Sequence, residues 1–276
     1  MFINCKGTLL DLSEPKVMGI INITPDSFYS GSRANSDKEI LKKSEQMLNE
    51  GATFLDLGAY SSRPDAEDIS EGDELKRMLP SIEIILKEFP EAILSIDTFR
   101  SDVAKRSIEA GGAIINDISA GILDDKMLKT VADLQVPYIM MHMKGTPQTM
   151  KAQNQYEDLV GDILFYFSER IAEARKLGIN DLIIDPGFGF AKNIAQNFEL
   201  LAKLELFKNL ELPLLAGLSR KSMIWKKLRI APEDALNGTT SLNTIALLKG
   251  ASILRVHDVK EALECIKLTA EVSNLF

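Results

Sequence analysis

Short apolar runs near 17–21, 53–57, 92–96, 113–115, 137–141, 181–184, 213–216 and 251–256 punctuate the chain, and each gives way to polar residues. Those endings are Asn22, Asp56, Asp97, Asn116, His142, Asp185, Ser219, and Arg255 with His257. Strands covered by helices read as nearly unbroken apolar segments, so the runs predict a parallel sheet. Between them the period changes to a helical one. After Ser36, expected as an N-cap with Glu39 three residues on, Ile40, Leu41, Ser44, Met47 and Leu48 share one helical face, and Gly51 ends that helix. Leu75, Met78, Leu79, Ile82, Ile85, Leu86 and Phe89 form a second stripe, Leu159, Ile163, Phe167 and Ile171 a third, and Leu263, Ile266 and Ala270 mark the last helix. The alternation predicts repeated βα units. Residues 3–12 read as a hairpin turning at Lys6-Gly7, placed to close the bottom of a barrel.

Such an alternation fits a (β/α)8 TIM-like barrel with a short N-terminal hairpin, and also an open doubly wound sheet. Motifs favour the barrel. A dinucleotide-binding unit places G-x-G-x-x-G after its first strand, but here that strand runs into Asn22-Ile23-Thr24-Pro25-Asp26-Ser27-Phe28. Gly187-Phe188-Gly189 lacks the third glycine, and there is no P-loop pattern. The chain has 276 residues, 45% of them hydrophobic, enough for one domain spanning 1–276. A net charge of -8 and a pI near 5.0 argue against nucleic acid, whose phosphates call for a basic surface. The first residues lack the apolar core of a signal peptide and no run approaches a membrane span, so a cytoplasmic setting is expected. Cys5 and Cys265 are expected to be reduced packing residues.

In a barrel of this kind the carboxyl ends of the strands carry the chemistry. Arg255 and His257, one residue apart, point to the same side of a strand and could grip an anion, or could cap an exposed strand end. In Asp185-Pro186-Gly187-Phe188-Gly189-Phe190 the glycines allow a tight turn. Its carboxylate could receive paired N–H groups of a heterocycle, or satisfy backbone donors of its own turn. Asp97 and Asn116 offer similar polarity, with helix capping as the plain alternative. Gly217-Leu218-Ser219-Arg220-Lys221-Ser222 brings backbone donors and two cations before a helix, a setting suited to an anionic group. Asn22 has an oxygen suited to Mg2+. Thr24-Pro25-Asp26-Ser27-Phe28 and Ser61-Ser62-Arg63-Pro64 read either as substrate-closing loops or as ordinary turns, and His142 either as a rim group or as a structural histidine.

The set Met18 through Phe28, Asp56 through Pro64, Ser95-Ile96-Asp97-Thr98, Ile115-Asn116-Asp117, Met141-His142-Met143, Asp185 through Gly189, Ser219 through Ser222 and Arg255-Val256-His257 resembles the dihydropteroate synthase family along almost the whole chain. The resemblance implies a transferase of folate biosynthesis that joins 4-aminobenzoate to 6-hydroxymethyl-7,8-dihydropterin diphosphate, giving 7,8-dihydropteroate and pyrophosphate. It implies pterin binding by Asp97, Asn116, Asp185 and Lys221, and diphosphate binding by Arg255, His257 and Asn22, the last through Mg2+. Phe28, Ser62, Arg63, Pro64, Phe190 and Ser222 would form the aminobenzoate site, where sulfonamides compete. Arg63, Lys221, Arg255 and His257 would carry the catalysis, and a homodimer is implied. Tyr60 and Asp65 depart from the commonest form of the second loop. The competing expectations are a methyltetrahydrofolate–corrinoid methyltransferase, against which the Arg255-Val256-His257 segment and the first two loops speak, and a noncatalytic pterin-binding protein.

Overall fold

The computed structural model describes residues 1–23, 33–61 and 68–273. A hairpin of β1 (Phe2–Cys5) and β2 (Thr8–Asp11) comes first, and its turn uses left-handed Lys6 and Gly7 at φ 52° and 82°. Such paired positive φ values match the right-handed twist of the strands they join. Eight strands follow: β3 (Lys16–Asn22), β4 (Phe54–Gly58), β5 (Ile93–Asp97), β6 (Ile114–Asp117), β7 (Tyr138–Met141), β8 (Leu182–Asp185), β9 (Leu215–Ala216) and β10 (Ile253–Val256). They pair in parallel in the order β8-β7-β6-β5-β4-β3-β10-β9, and a parallel bridge from Ile184 to Leu214 brings the two edges together. The result is a nearly closed barrel with helices between strands, as the alternation of periods predicted.

Among the described residues each strand is followed by helix: α1 (Arg33–Asn49), α2 (Glu71–Glu88), α3 (Ser101–Glu109), α4 (Met127–Leu134), α5 (Leu159–Lys176), α6 (Ile194–Ala202), α7 (Ser222–Leu228), α8 (Leu236–Leu248) and α9 (Val259–Ser273). Local signals set several ends. Ser70 caps α2 through the Asp73 N–H, Asp158 caps α5 through the Gly161 N–H, and Asn193 with Gln196 forms a reciprocal capping box on α6. Two expectations are corrected. The first helix begins at Arg33, so Ser36 lies inside it rather than at its cap. On α9 the buried positions are Val259, Ala262, Cys265, Ile266 and Thr269, while Ala270 is exposed.

Side chains alternate between the two faces of each strand, which separates two cores. Outward positions such as Ile21, Leu55, Leu57, Leu94, Ile96, Ile115, Met140, Ile184 and Leu254 pack against Met78, Ile82, Ile163 and Phe167 of the helices. The first inward positions, Met18, Phe54, Ile93, Ile114, Ile139, Ile183, Leu215 and Ile253, join Ile3, Cys5 and Leu12 in a second cluster. The hairpin therefore plugs the amino-terminal end of the barrel. Two residues further along, the alternation puts Asp56, Ser95, Asn116, Asp185 and Arg255 on the inward face, so the interior turns from apolar to ionic within one step of each strand.

Both cysteines are free and buried, Cys5 in the plug and Cys265 against the outer core. No helix among the described residues is long and apolar enough to cross a membrane. Phe54, fully buried where plug and barrel meet, tests the plug: Phe54→Ala should lower stability by about 3–5 kcal/mol in urea unfolding, because the cavity cannot collapse among strands.

Candidate active site

The inward ionic layer is centred on Arg255. Its Nε donates to Asp56 Oδ2 at 2.6 Å and its Nη2 to Asp97 Oδ2 at 2.7 Å. Asp56 has no exposed surface, and its oxygens also accept from Ser95 Oγ at 2.6 Å and from Asn116 Nδ2 at 3.1 and 3.3 Å. A carboxylate this deep is tolerated because cation, hydroxyl and amide replace its water. Asp56 is thus not a strand ending: β4 continues to Gly58, and the carboxylate lies beneath the rim. Burial pushes the Asp97 carboxyl up while Arg255 pulls it down. Burial opposes the Arg255 charge too, but Asp56 and Asp97 outweigh it and hold the guanidinium above its usual range.

Register and close approach place the remaining groups. Gly58 pairs with Asn22 on one side and with Asp97 on the other, and a Cβ at Gly58 would sit 3.6 Å from Asp97 Oδ2 and 3.7 Å from Asn22 Oδ1. A Cβ at Gly217 would lie 3.8 Å from Lys221 Nζ and 4.0 Å from Arg255 Cβ, so the Lys221 amine and the base of the Arg255 side chain both approach that glycine. At the end of β8, Asp185 Oδ1 accepts from the Gly187 N–H at 2.8 Å. Gly187 has φ 73°, and a Cβ there would clash with the His142 carbonyl oxygen, so the turn requires glycine.

Lys221 donates to the Phe188 carbonyl, and its amine lies 5.0 Å from the centre of the Phe190 ring. Burial lowers its pKa to about 8 despite the attraction of Asp185. Burial raises the Asp185 carboxyl, and Lys221 and the Gly187 N–H oppose that rise. Across the mouth, the His257 N–H donates to Ser219 Oγ at 3.2 Å, and the same hydroxyl meets His257 Nδ1 at 3.0 Å. Burial and the Arg255 charge lower the His257 pKa to about 4, leaving a neutral ring at pH 7. When the serine proton points at Nδ1, the ring proton sits on Nε2, where it is a neutral donor.

Asn22, Asp97, Asn116, Asp185, Lys221 and Arg255 thus converge at one end of the barrel, with His257 just past the end of the strand that carries Arg255 and Phe190 beside Lys221. Ser222, half-buried, begins α7. Phe28, Ser62, Arg63 and Pro64, with most of the two loops that carry them, lie outside the described residues. His142 is buried and bonded to Lys192, not open to the rim. Asp117, next to Asn116 but on the opposite face, binds the N–H groups of Ser119 and Gly121 and the Tyr138 hydroxyl, and so shapes the turn. Sequence reasoning placed Asp56 and Ser219 only among the polar strand endings, and gave no role to Ser95 or Lys192. For Asp56 a signal existed, since a carboxylate two residues short of the end of an apolar strand must have a buried partner.

Comparison with known proteins resolves what this cup belongs to. A model of the pterin binding enzymes matches residues 18–257. The dihydropteroate synthase of Escherichia coli K12 is 43% identical over 265 residues, which cover 95% of this chain and 93% of that protein. The chain belongs to the dihydropteroate synthase family. The synthase of Haemophilus influenzae is 40% identical over 96% of each chain. Among solved structures, the Yersinia pestis synthase in a sulfonamide drug complex superposes with a TM-score of 0.93 at 40% identity, over 100% of both chains. The Xanthomonas albilineans synthase in complex with 7,8-dihydropteroate gives 0.88 at 36% identity, covering 99% of each. As a family member the chain is a transferase of folate synthesis.

Because Arg255 holds two carboxylates, its loss should disturb more than one binding function. Arg255→Ala should cost about 3–5 kcal/mol of stability at pH 7, as expected when a buried charge loses its partner. Adding Asp56→Asn should recover part of that loss in urea unfolding, since it removes a stranded charge.

Proposed function

We propose that this chain condenses 4-aminobenzoate with 6-hydroxymethyl-7,8-dihydropterin diphosphate at the mouth of the barrel, releasing pyrophosphate and 7,8-dihydropteroate. Family membership supports the reaction. The observation that carries the assignment of roles is the convergence of Asp97, Asn116, Asp185 and Lys221 beside Arg255, which offers a flat heterocycle both acceptors and donors within one cup. In this reading those four bind the pterin, and Arg255, His257 and Asn22 face the diphosphate. Phe190 and Ser222, with Phe28, Ser62, Arg63 and Pro64, form the aminobenzoate side, the place where sulfonamides would compete. Residues 1–276 act as one domain, as a homodimer in the cytoplasm, on the support of family resemblance.

The C–O bond at the pterin methylene breaks with its electron pair leaving on the diphosphate. The aromatic amine then forms the new C–N bond and gives up a proton to water or to the departing diphosphate. No protein nucleophile is needed. Asp97 and Asp185 favour positive charge on the pterin, while Arg255, Arg63 and the neutral Nε2–H of His257 stabilise the leaving group. Arg255 keeps Nη1 without a hydrogen-bond partner among the described residues, so its fork has N–H groups to give after binding Asp56 and Asp97.

Among the described residues no cluster of His, Cys, Asp and Glu would hold a metal by itself. Asn22 Oδ1, close to Asp97 and without a side-chain hydrogen bond among the described residues, fits a Mg2+ that arrives on the diphosphate and keeps most of its waters. When bound, such an ion supplies positive charge to the leaving group.

Release of pyrophosphate that depends on both 4-aminobenzoate and Mg2+ is the direct test; no release from folded protein would end this reading. Asp185→Asn should weaken pterin binding by about 10- to 100-fold in calorimetry, the range for a hydrogen bond to a charged group. A pH series separates Lys221 from its neighbours. Its pKa is about 8 in the folded chain against 10.5 ordinarily, so between these values the unfolded chain holds more protons and this group's contribution to stability rises with pH. The ammonium donor disappears over the same interval. Pterin binding should therefore weaken as pH rises through about 8, and Lys221→Arg should abolish that limb.

A further inference from the structure

Outside the ionic layer, Lys192 is tied to more of the mouth than any group given a role so far. Its Nζ donates to the Gly187 carbonyl at 2.9 Å and to the Phe190 carbonyl at 3.0 Å, and it meets His142 Nδ1 at 3.1 Å. The two carbonyl contacts lie within the turn that begins at Asp185 and ends at Phe190, and the third ties it to His142. The turn is pinned elsewhere as well: Lys221 takes the Phe188 carbonyl, and Asn197 Oδ1 accepts the Gly189 N–H at 2.6 Å. His142 is in turn fixed, its ring edge-on to Tyr166 at 4.8 Å, while the single Tyr166 O–H has the Ser119 and Met141 carbonyls as acceptors at 3.0 and 3.1 Å. The chain of contacts runs from the interior of β7 through His142 and Lys192 to the backbone that carries Phe190.

Lys192 projects from just before α6, and its amine spends its contacts inside the protein rather than in solvent. A lysine amine surrounded by two carbonyls and an imidazole nitrogen is a spacer of fixed length. It sets how far the Phe190 carbonyl stands from β7. Burial lowers the pKa of both Lys192 and His142, as expected for a pair enclosed together.

We propose that Lys192, buttressed by His142, is a positioning residue for the aminobenzoate side of the site: it fixes the backbone at Gly187 and Phe190, and so the Phe190 ring against which the second substrate packs. The inference rests on the reading of the reaction given above, and deepens it. It separates two ends of the cup. Loss of the spacer should be felt by the substrate beside Phe190, and not by an anion held at Arg255 and His257.

The test compares Lys192→Met, His142→Leu and His142→Asn with the unaltered enzyme in the pyrophosphate-release assay, with thermal unfolding to show that each variant is folded. Turnover by the unaltered enzyme comes first, because its failure would overturn the proposed reaction, whereas normal turnover with unaffected variants would overturn only the role of Lys192. Lys192→Met and His142→Leu should raise the KM for 4-aminobenzoate by about tenfold or more, while the Kd for Mg2+-pyrophosphate stays within about twofold, since only misplaced contacts change. His142→Asn should restore most of what His142→Leu loses, because an amide can offer the amine either an acceptor or a donor and leucine offers neither. The role is refuted by an unchanged KM in Lys192→Met, by pyrophosphate affinity that falls in step with KM, or by His142→Asn behaving like His142→Leu. Should Lys192→Met not fold, the His142 pair decides by the same criteria.

Discussion

One guanidinium makes the interior of this barrel possible. Asp56 has no solvent and Asp97 little, and without a cation between them two carboxylates would repel one another in a poorly polarisable cup. Arg255 reaches both from the strand beside β3, and the Ser95 hydroxyl and Asn116 amide occupy the remaining acceptor sites of Asp56. The two carboxylates thereby share one cation below the rim. The groups above it can then turn toward a ligand instead of neutralising the floor, and the N–H groups of Arg255 that have no partner among the described residues join them.

The same alternation of side chains that separates core from cup explains the economy of the strands. On β6, Asn116 faces inward to Asp56 and its neighbour Asp117 faces outward to the turn that follows. On β4, Phe54 closes the plug and Asp56, two residues later, binds Arg255. A strand of four or five residues thus supplies a plug, an ionic site and a packing face for helices, because each step of two moves one level up the barrel.

How much of this could be read from the chain depends on how far each interaction reaches. The strands were legible because burial on both faces demands continuous apolar runs, and every predicted run contains or overlaps its strand. Gly187 was legible as a turn, since its conformation is a local property. Ser36 misled because Ser-x-x-Glu is a short-range pattern that helix can extend past, here to Arg33. Ala270 misled because alanine costs little to expose, whereas Cys265 and Thr269 take the buried positions. That Asp56 needs a buried partner was legible, but which partner was not, because its cation lies 199 residues away and only closure of the sheet brings them together. Lys192 shows the same limit at shorter range: its partner His142 sits 50 residues earlier, and no periodicity links them.

The apolar plug has a consequence for traffic. With Ile3, Cys5 and Leu12 sealing one end against the first layer of strand residues, the described residues leave the opposite rim as the approach to the ionic cup. Traffic to and from the cup is thereby directed to the end of the barrel where the charged layer lies.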